Sequence, residues 1–197
     1  MSLIRTAAAG ALAALIQTAF LLHFASPLAE TLHEKLAAVE TEEVYAYWAA
    51  WAVAALSGAL WGVLFYPLAL RHGVFKTSAA MFIALSLLPS LKWLPTPHGV
   101  SYLEPVWWRE AIHGLYLLYN AVFMLVALRG GLWGVAAAAA LAVGVYAFPS
   151  FTLPDRYLAI LPELRALQGL AISSWALFWA SIALLTWLIS PVRRIWR

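Results

Sequence analysis

Residues 131–148 read GLWGVAAAAALAVGVYAF, an apolar run without a charged side chain. A helix needs about 20 mostly apolar residues to cross the ~30 Å hydrocarbon core of a bilayer. The run lacks the alternation of apolar and polar residues that is typical of strands in membrane β-barrels. It therefore predicts a membrane-spanning helix, and further runs rich in Ala, Leu and Trp lie on both sides of it.

The composition of the whole chain supports this interpretation. Hydrophobic residues make up 64% of the 197 residues, charged residues 11%, and the mean hydropathy is +0.84. Soluble proteins have roughly 45–50% apolar and about 25% charged residues, so a soluble fold is excluded. The net charge of +3 comes from scattered bases, which excludes a nucleic-acid-binding protein. With no Cys, disulfides and thiolate metal sites are excluded as well.

The sequence thus predicts an all-α integral membrane protein with one transmembrane domain, 1–197, surrounded by lipid. The predicted helices are about 4–26, 44–70, 77–92, 112–128, 131–148 and 166–189. Five spans are the alternative, because the third helix is short and the fourth and fifth nearly touch. The first helix resembles a secretory signal in part, but its apolar stretch is long and we expect it to be retained.

Charge placement predicts a topology with both termini in the cytoplasm. With six helices, this topology assigns all nine acidic residues to the exterior side. The cytoplasmic side then receives Arg5, Arg71, Lys76, Arg129, Arg193, Arg194 and Arg197, which is a modest positive-inside bias. The inner loops are short and the outer loops long, so we expect any site to lie on the exterior side.

Small and aromatic residues indicate how the helices pack and where they meet the membrane surface. Gly58 and Gly62, and likewise Gly130 and Gly134, have the spacing that permits close helix packing. Tryptophans are expected at both membrane surfaces, as in other membrane proteins: Trp48, Trp51, Trp93, Trp107 and Trp108 outside, and Trp133 and Trp196 inside. Pro95 and Pro97 predict a non-helical lip after the third helix, because proline cannot continue a helix.

Histidine and glutamate residues on the exterior side are the candidate metal ligands. Glu110 and His113 are three residues apart, so on a helix they share a face and could offer a carboxylate and an imidazole to one cation. Asn120, a heptad after His113, extends this face into the membrane. Glu30 and His33 have the same spacing. We predict a metal-binding site formed by His113, Glu110, His23, Glu40 and Glu43. The alternative is that these side chains are solvated or structural.

The stretch LPSLKWLPTP at 88–97 resembles a signature of the CbtA family, predicted cobalt transporter subunits. In that family an apolar helix ends in a similar Pro-rich sequence, and an Arg and an aromatic-rich helix follow, like Arg109 and Tyr116. The segment from Phe148 to Trp175 and the acidic segment after the first helix are similar too. The chain departs from the family pattern at Trp93, usually Tyr, at Leu94, usually Pro, and at His98, commonly Pro.

The resemblance implies a membrane subunit for uptake of a divalent metal ion, cobalt above all, in the prokaryotic cytoplasmic membrane. It also implies a small partner subunit bearing histidines, CbtB. No catalytic or nucleotide-binding motif is present, so we expect no enzyme activity and no resident cofactor beyond a transiently bound cation. The alternative function is a structural subunit of a larger membrane complex, such as a respiratory one. A carboxylate-bridged di-metal enzyme, prompted by the two E-x-x-H pairs, is a third and weaker hypothesis.

Overall fold

The computed structural model describes residues 1–36, 47–97 and 100–189, and within these ranges the chain is helical and has no β-strand. The α-helices are α1 (Leu3–Phe24), α2 (Ser26–Leu36), α3 (Tyr47–His72), α4 (Val74–Met81), α5 (Leu88–Lys92), α6 (Val106–Arg129), α7 (Gly131–Ala147) and α8 (Leu161–Ile189). A π-helical turn, Phe82–Leu87, joins α4 to α5, and a 3₁₀ turn, Asp155–Ile160, precedes α8. The predicted all-α membrane fold is confirmed.

Five helical segments among the described residues are long and apolar enough to cross a membrane. They are Leu3–Phe24, Ala50–His72, Val74–Lys92, Val106–Arg129 and Asp155–Ile189. The sixth predicted span, α7, is apolar but has only 17 residues. At 1.5 Å per residue it measures about 26 Å, slightly less than the hydrocarbon core. The count of six long spans is therefore corrected to five long helices and one shorter apolar helix.

The observed helix boundaries differ from the prediction mainly where short polar segments are helical. The predicted loop after the first helix contains α2, whose only fully buried apolar side chain is Leu32. Helix α6 begins at Val106 rather than near Ile112, because Pro105 supplies the extended residue before a helix and not a break inside it. The non-helical lip is confirmed for residues 93–97, and residues 98–99 lie outside the described ranges.

The chain forms two compact units. Unit 1 comprises Met1–Leu22, Glu42–Phe82 and Ser173–Arg197, and so contains most of α1, all of α3 and α4, and the second part of α8. Unit 2 comprises His23–Thr41 and Ile83–Ile172, and so contains α2, α5, α6, α7 and the beginning of α8.

In unit 1, glycines bring α1 and α3 into backbone contact. A Cβ added to Gly10 would lie 2.0 Å from the carbonyl oxygen of Gly58, and one added to Gly62 would lie 2.3 Å from that of Thr6. The close packing predicted for Gly58 and Gly62 is confirmed, and Gly10 is their partner on α1. Gly130 has a different role, since it separates α6 from α7 with a φ of 76° that L side chains rarely adopt.

Polar contacts also connect the helices of unit 1. The amide of Gln17 donates to the hydroxyl of Ser174 at 3.2 Å, which joins α1 to α8. The hydroxyl of Ser78 donates to the carbonyl of Trp179 at 2.6 Å, which joins α4 to α8. Such bonds satisfy polar groups that hydrocarbon would leave without a partner, so they stabilise particular helix pairs.

Candidate functional site

Trp93 is the centre of an aromatic cluster at one end of unit 2. Its ring stacks on Phe151 with centroids 5.1 Å apart, and it meets Tyr116 edge-on at 5.1 Å and His113 at 5.3 Å. Its indole N–H donates to the carbonyl of Pro149. The predicted level of Trp93 at the membrane surface stays a prediction, but the side chain is buried within the protein rather than exposed. The cause is Pro95, which ends the helical path and lets residue 93 turn back over α6.

Trp107 and Trp108, by contrast, are exposed, as expected for residues at a membrane surface. Trp133 is exposed as well. The side chain of Trp48 and all of Trp196 lie outside the described part of the chain.

Hydrogen bonds join the two loops that surround this cluster. The carboxylate of Glu104 accepts a hydrogen bond from the backbone N–H of Thr152, with both oxygens at 3.0 Å, and the N–H of Leu103 donates to the Thr152 carbonyl. The hydroxyl of Tyr102 donates to the carbonyl of Leu94 at 3.0 Å. These bonds hold residues 94, 102–104 and 152 in one arrangement and so fix the cluster that they surround.

Two titratable groups in these loops have shifted pKa values. Burial raises the pKa of Tyr102 above its ordinary value, although the guanidinium of Arg109, 5.3 Å from the ring centroid, acts to lower it. Burial also acts to raise the pKa of Glu104, but the N–H of Thr152 and the charge of Arg109 outweigh it, so this pKa is lowered. At neutral pH the loops therefore carry the Glu104 carboxylate and the neutral phenol of Tyr102.

Lys92 connects this end of the unit to α7. Its ammonium group donates to the carbonyl of Val145 at 2.6 Å and lies 5.5 Å from the centroid of the Trp93 ring. Val145 is in the last turn of α7, where carbonyl groups have no partner within the helix and the dipole favours a cation. Lys92 thus caps α7.

Glu110 and His113, the main predicted ligands, lie on consecutive turns of α6, and both are exposed. Their shared side of the helix is thus not the side that α6 buries. The buried residues of α6 recur every fourth residue, beginning with Ile112 and Tyr116 and continuing through Asn120. A spacing of four residues turns about 40° further around the helix at each step. Asn120 is therefore on the buried stripe, whereas His113, a heptad earlier, is off it.

The other predicted ligands are not brought together with these two by the described residues. His23 is exposed near the end of α1, and its ring contacts Phe24 at 4.7 Å. Glu40 and Glu43 lie outside the described residues, as does the side chain of His33. Within the described ranges, no group of three or more His, Asp or Glu side chains is placed to hold a metal ion. Glu110 and His113 alone could supply two ligands, fewer than a bound divalent ion needs.

The structure adds two residues that the sequence did not assign to a site. Asn120 was expected only to extend a polar face, and Tyr116 entered only through the family resemblance. Both are fully buried in α6. The sequence could have indicated this burial through their spacing. Tyr116 and Asn120 are four residues apart, which places them on one face of a helix, and no charged residue lies between them.

No family model, curated protein or solved structure matches this chain. The class of the protein therefore follows from its fold: an all-α, multi-pass membrane protein whose apolar helices contact lipid. Within that class, unit 2 presents the aromatic cluster around Trp93, with the exposed imidazole of His113 against it.

Proposed function

We propose that this protein is the membrane subunit of an uptake system for a divalent metal ion, with cobalt as the cargo, and that it acts with a partner subunit in a prokaryotic cytoplasmic membrane. The observation that carries the proposal is the position of Glu110 and His113, which share one side of α6 and are both exposed. His113 is also held against Trp93, so its imidazole is presented in a defined place.

The chemistry of this pair suits a divalent cation in transit. Imidazole and carboxylate are both accepted by Co²⁺. Two ligands bind an ion weakly, and a partner that brings further imidazoles would complete its coordination. The resemblance to CbtA supports such a partner, because that family is expected to act with a small subunit bearing histidines. A shared site of this kind requires exposed ligands, as Glu110 and His113 are.

Uptake of Co²⁺ by cells that produce the protein with its partner tests this proposal. Removal of a ligand is expected to lower uptake at limiting Co²⁺ by about tenfold or more, so His113→Ala and Glu110→Ala should each lose activity at unchanged expression. Leu115→Ala is the matched control, because Leu115 is exposed on the same helix and has no metal-binding group. Normal uptake in both ligand variants would refute the metal pathway.

The accessory role in a larger membrane complex is the competing proposal, and the same cells distinguish the two. The large apolar side chains exposed on α3, such as Leu56 and Leu60, suit either lipid or neighbouring subunits. Co-purification with a large complex, together with Co²⁺ uptake that is unchanged on deletion of the chain, would favour the accessory role.

A further inference from the structure

Two polar side chains are buried near the middle of α6. Tyr116 and Asn120 are each 0% exposed. Asn120 is the fifteenth of the 24 residues of α6, which places it within about 4 Å of the helix midpoint. A polar residue at this depth in a membrane protein is costly unless its groups find partners, and it usually faces protein or water.

The side chains of Tyr116 and Asn120 do not find those partners within the described part of the chain. The Tyr116 hydroxyl and both the Nδ2 and Oδ1 atoms of Asn120 are buried without a hydrogen bond. The hydroxyl interacts with the Asn120 side chain, but the contact lacks hydrogen-bond geometry. Even if the hydroxyl turned to donate to Oδ1, the two N–H groups of the amide would still need acceptors. A buried polar group left unpaired destabilises the folded state.

The rings around Tyr116 make no hydrogen bond to its hydroxyl or to the Asn120 amide. Tyr116 is packed against the rings of Trp93 and Phe148, with centroids 5.1 and 4.9 Å away. It also stacks on Tyr119, whose hydroxyl already donates to the carbonyl of Ala140 at 2.6 Å. The surroundings of Tyr116 are therefore mainly aromatic rings, and the one nearby hydroxyl among them donates its proton to a backbone carbonyl.

We propose that Tyr116 and Asn120 form a binding site for internal water in the membrane-embedded part of unit 2. Water molecules accept from the two N–H groups of Nδ2, donate to Oδ1 and bond the phenol, so internal water meets the needs of all three orphaned atoms. A metal cation would bind only the oxygens and leave the amide N–H groups unpaired. Buried waters typically make about three hydrogen bonds to such groups.

This site is distinct from the exposed pair of Glu110 and His113 and does not depend on metal transport. The two sites are linked only through Trp93, whose ring contacts both the exposed His113 and the buried Tyr116 among the described residues.

Radiolytic hydroxyl-radical footprinting of the full chain in nanodiscs tests the proposal, because radicals formed from a bound water modify the side chains that touch it. Phe178 and Trp179 are the controls, since both are almost fully buried in an aromatic contact with each other. We expect Tyr116 to be modified several-fold faster than either control. In Asn120→Leu, which removes the polar partner, modification of Tyr116 should fall to the level of the controls.

Modification of wild-type Tyr116 no faster than that of Phe178 would overturn the proposal without any variant. An unchanged rate in folded Asn120→Leu would overturn it as well, because the amide would then not hold the water. Where Asn120→Leu does not fold, Asn120→Ser provides the comparison. Serine keeps a hydroxyl that bonds water, so Tyr116 should remain reactive, and loss of its reactivity would contradict the inference.

Discussion

Replacement of Gly10 by alanine is expected to loosen the contact between α1 and α3. The added Cβ would lie 2.0 Å from the Gly58 carbonyl oxygen and 2.9 Å from the Gly62 backbone nitrogen. Carbon atoms of side chains essentially never approach other atoms closer than 3.0 Å. Because the obstructing atoms are backbone, no side-chain rotation can relieve the clash. The two helices must separate locally by about 1 Å, which breaks their close packing.

The magnitude follows from two opposing effects. Overpacking of a close contact costs about 1–3 kcal/mol, and the upper end applies here because rigid backbone must move. Alanine is a better helix former than glycine by about 0.5–1 kcal/mol. The net expectation is a loss of about 2 kcal/mol in the free energy of unfolding, or a change of roughly thirtyfold in the folding equilibrium.

Equilibrium unfolding of the purified protein in mixed micelles measures this loss, with Gly114→Ala as the control. Gly114 lies inside α6, and an added Cβ there would meet nothing within 4 Å. Gly114→Ala should therefore be neutral or stabilising, so the two identical substitutions are expected to differ in sign. Equal stabilities of the two variants would refute the inferred backbone contact between α1 and α3.

Two further predictions concern topology and pH. A reporter fused after Arg197 should be cytoplasmic and one inserted near Glu40 exterior; an exterior Arg197 would mean an odd number of crossings. Because the pKa of Glu104 is lowered in the folded state, its stabilising contribution is complete well above pH 4.5, the ordinary value, and is lost as the pH falls through the lowered pKa. The melting temperature of Glu104→Gln should thus depend less on pH in this acidic range than that of the wild type, and parallel pH profiles would contradict this.

Apolar runs and glycine spacing were sufficient to predict much of the fold. The run at 131–148 corresponds to α7 almost residue for residue, and Gly58 and Gly62 make the close contact that their spacing predicts. These features are local, since they depend on helix periodicity and on the absence of a side chain. The partner of these glycines, Gly10, lies on another helix, and periodicity within α3 cannot identify it.

The environment of the candidate ligands was harder to predict, because it depends on the direction in which α6 buries its residues. A heptad pattern places His113 and Asn120 on one face, but the observed stripe moves around the helix and buries only Asn120. The inward turn of Trp93 depends on contacts with Phe151 and Pro149, which are more than 50 residues away in sequence. Such long-range packing leaves no trace in the spacing of neighbouring residues.

The π-helical turn at Phe82–Leu87 gives the third span a position at which its length can change by one residue. In such a turn the hydrogen bonds join residues five apart, so it accommodates one residue more than a regular helix. Deletion of one residue from the turn would remove this extra residue and restore an α-helix, with Lys92 and Trp93 still in register. Deletion of a residue from α5 has no such compensation, because it would rotate the residues after it by about 100°. Lys92 would then lose the Val145 carbonyl, and Trp93 would leave the aromatic cluster.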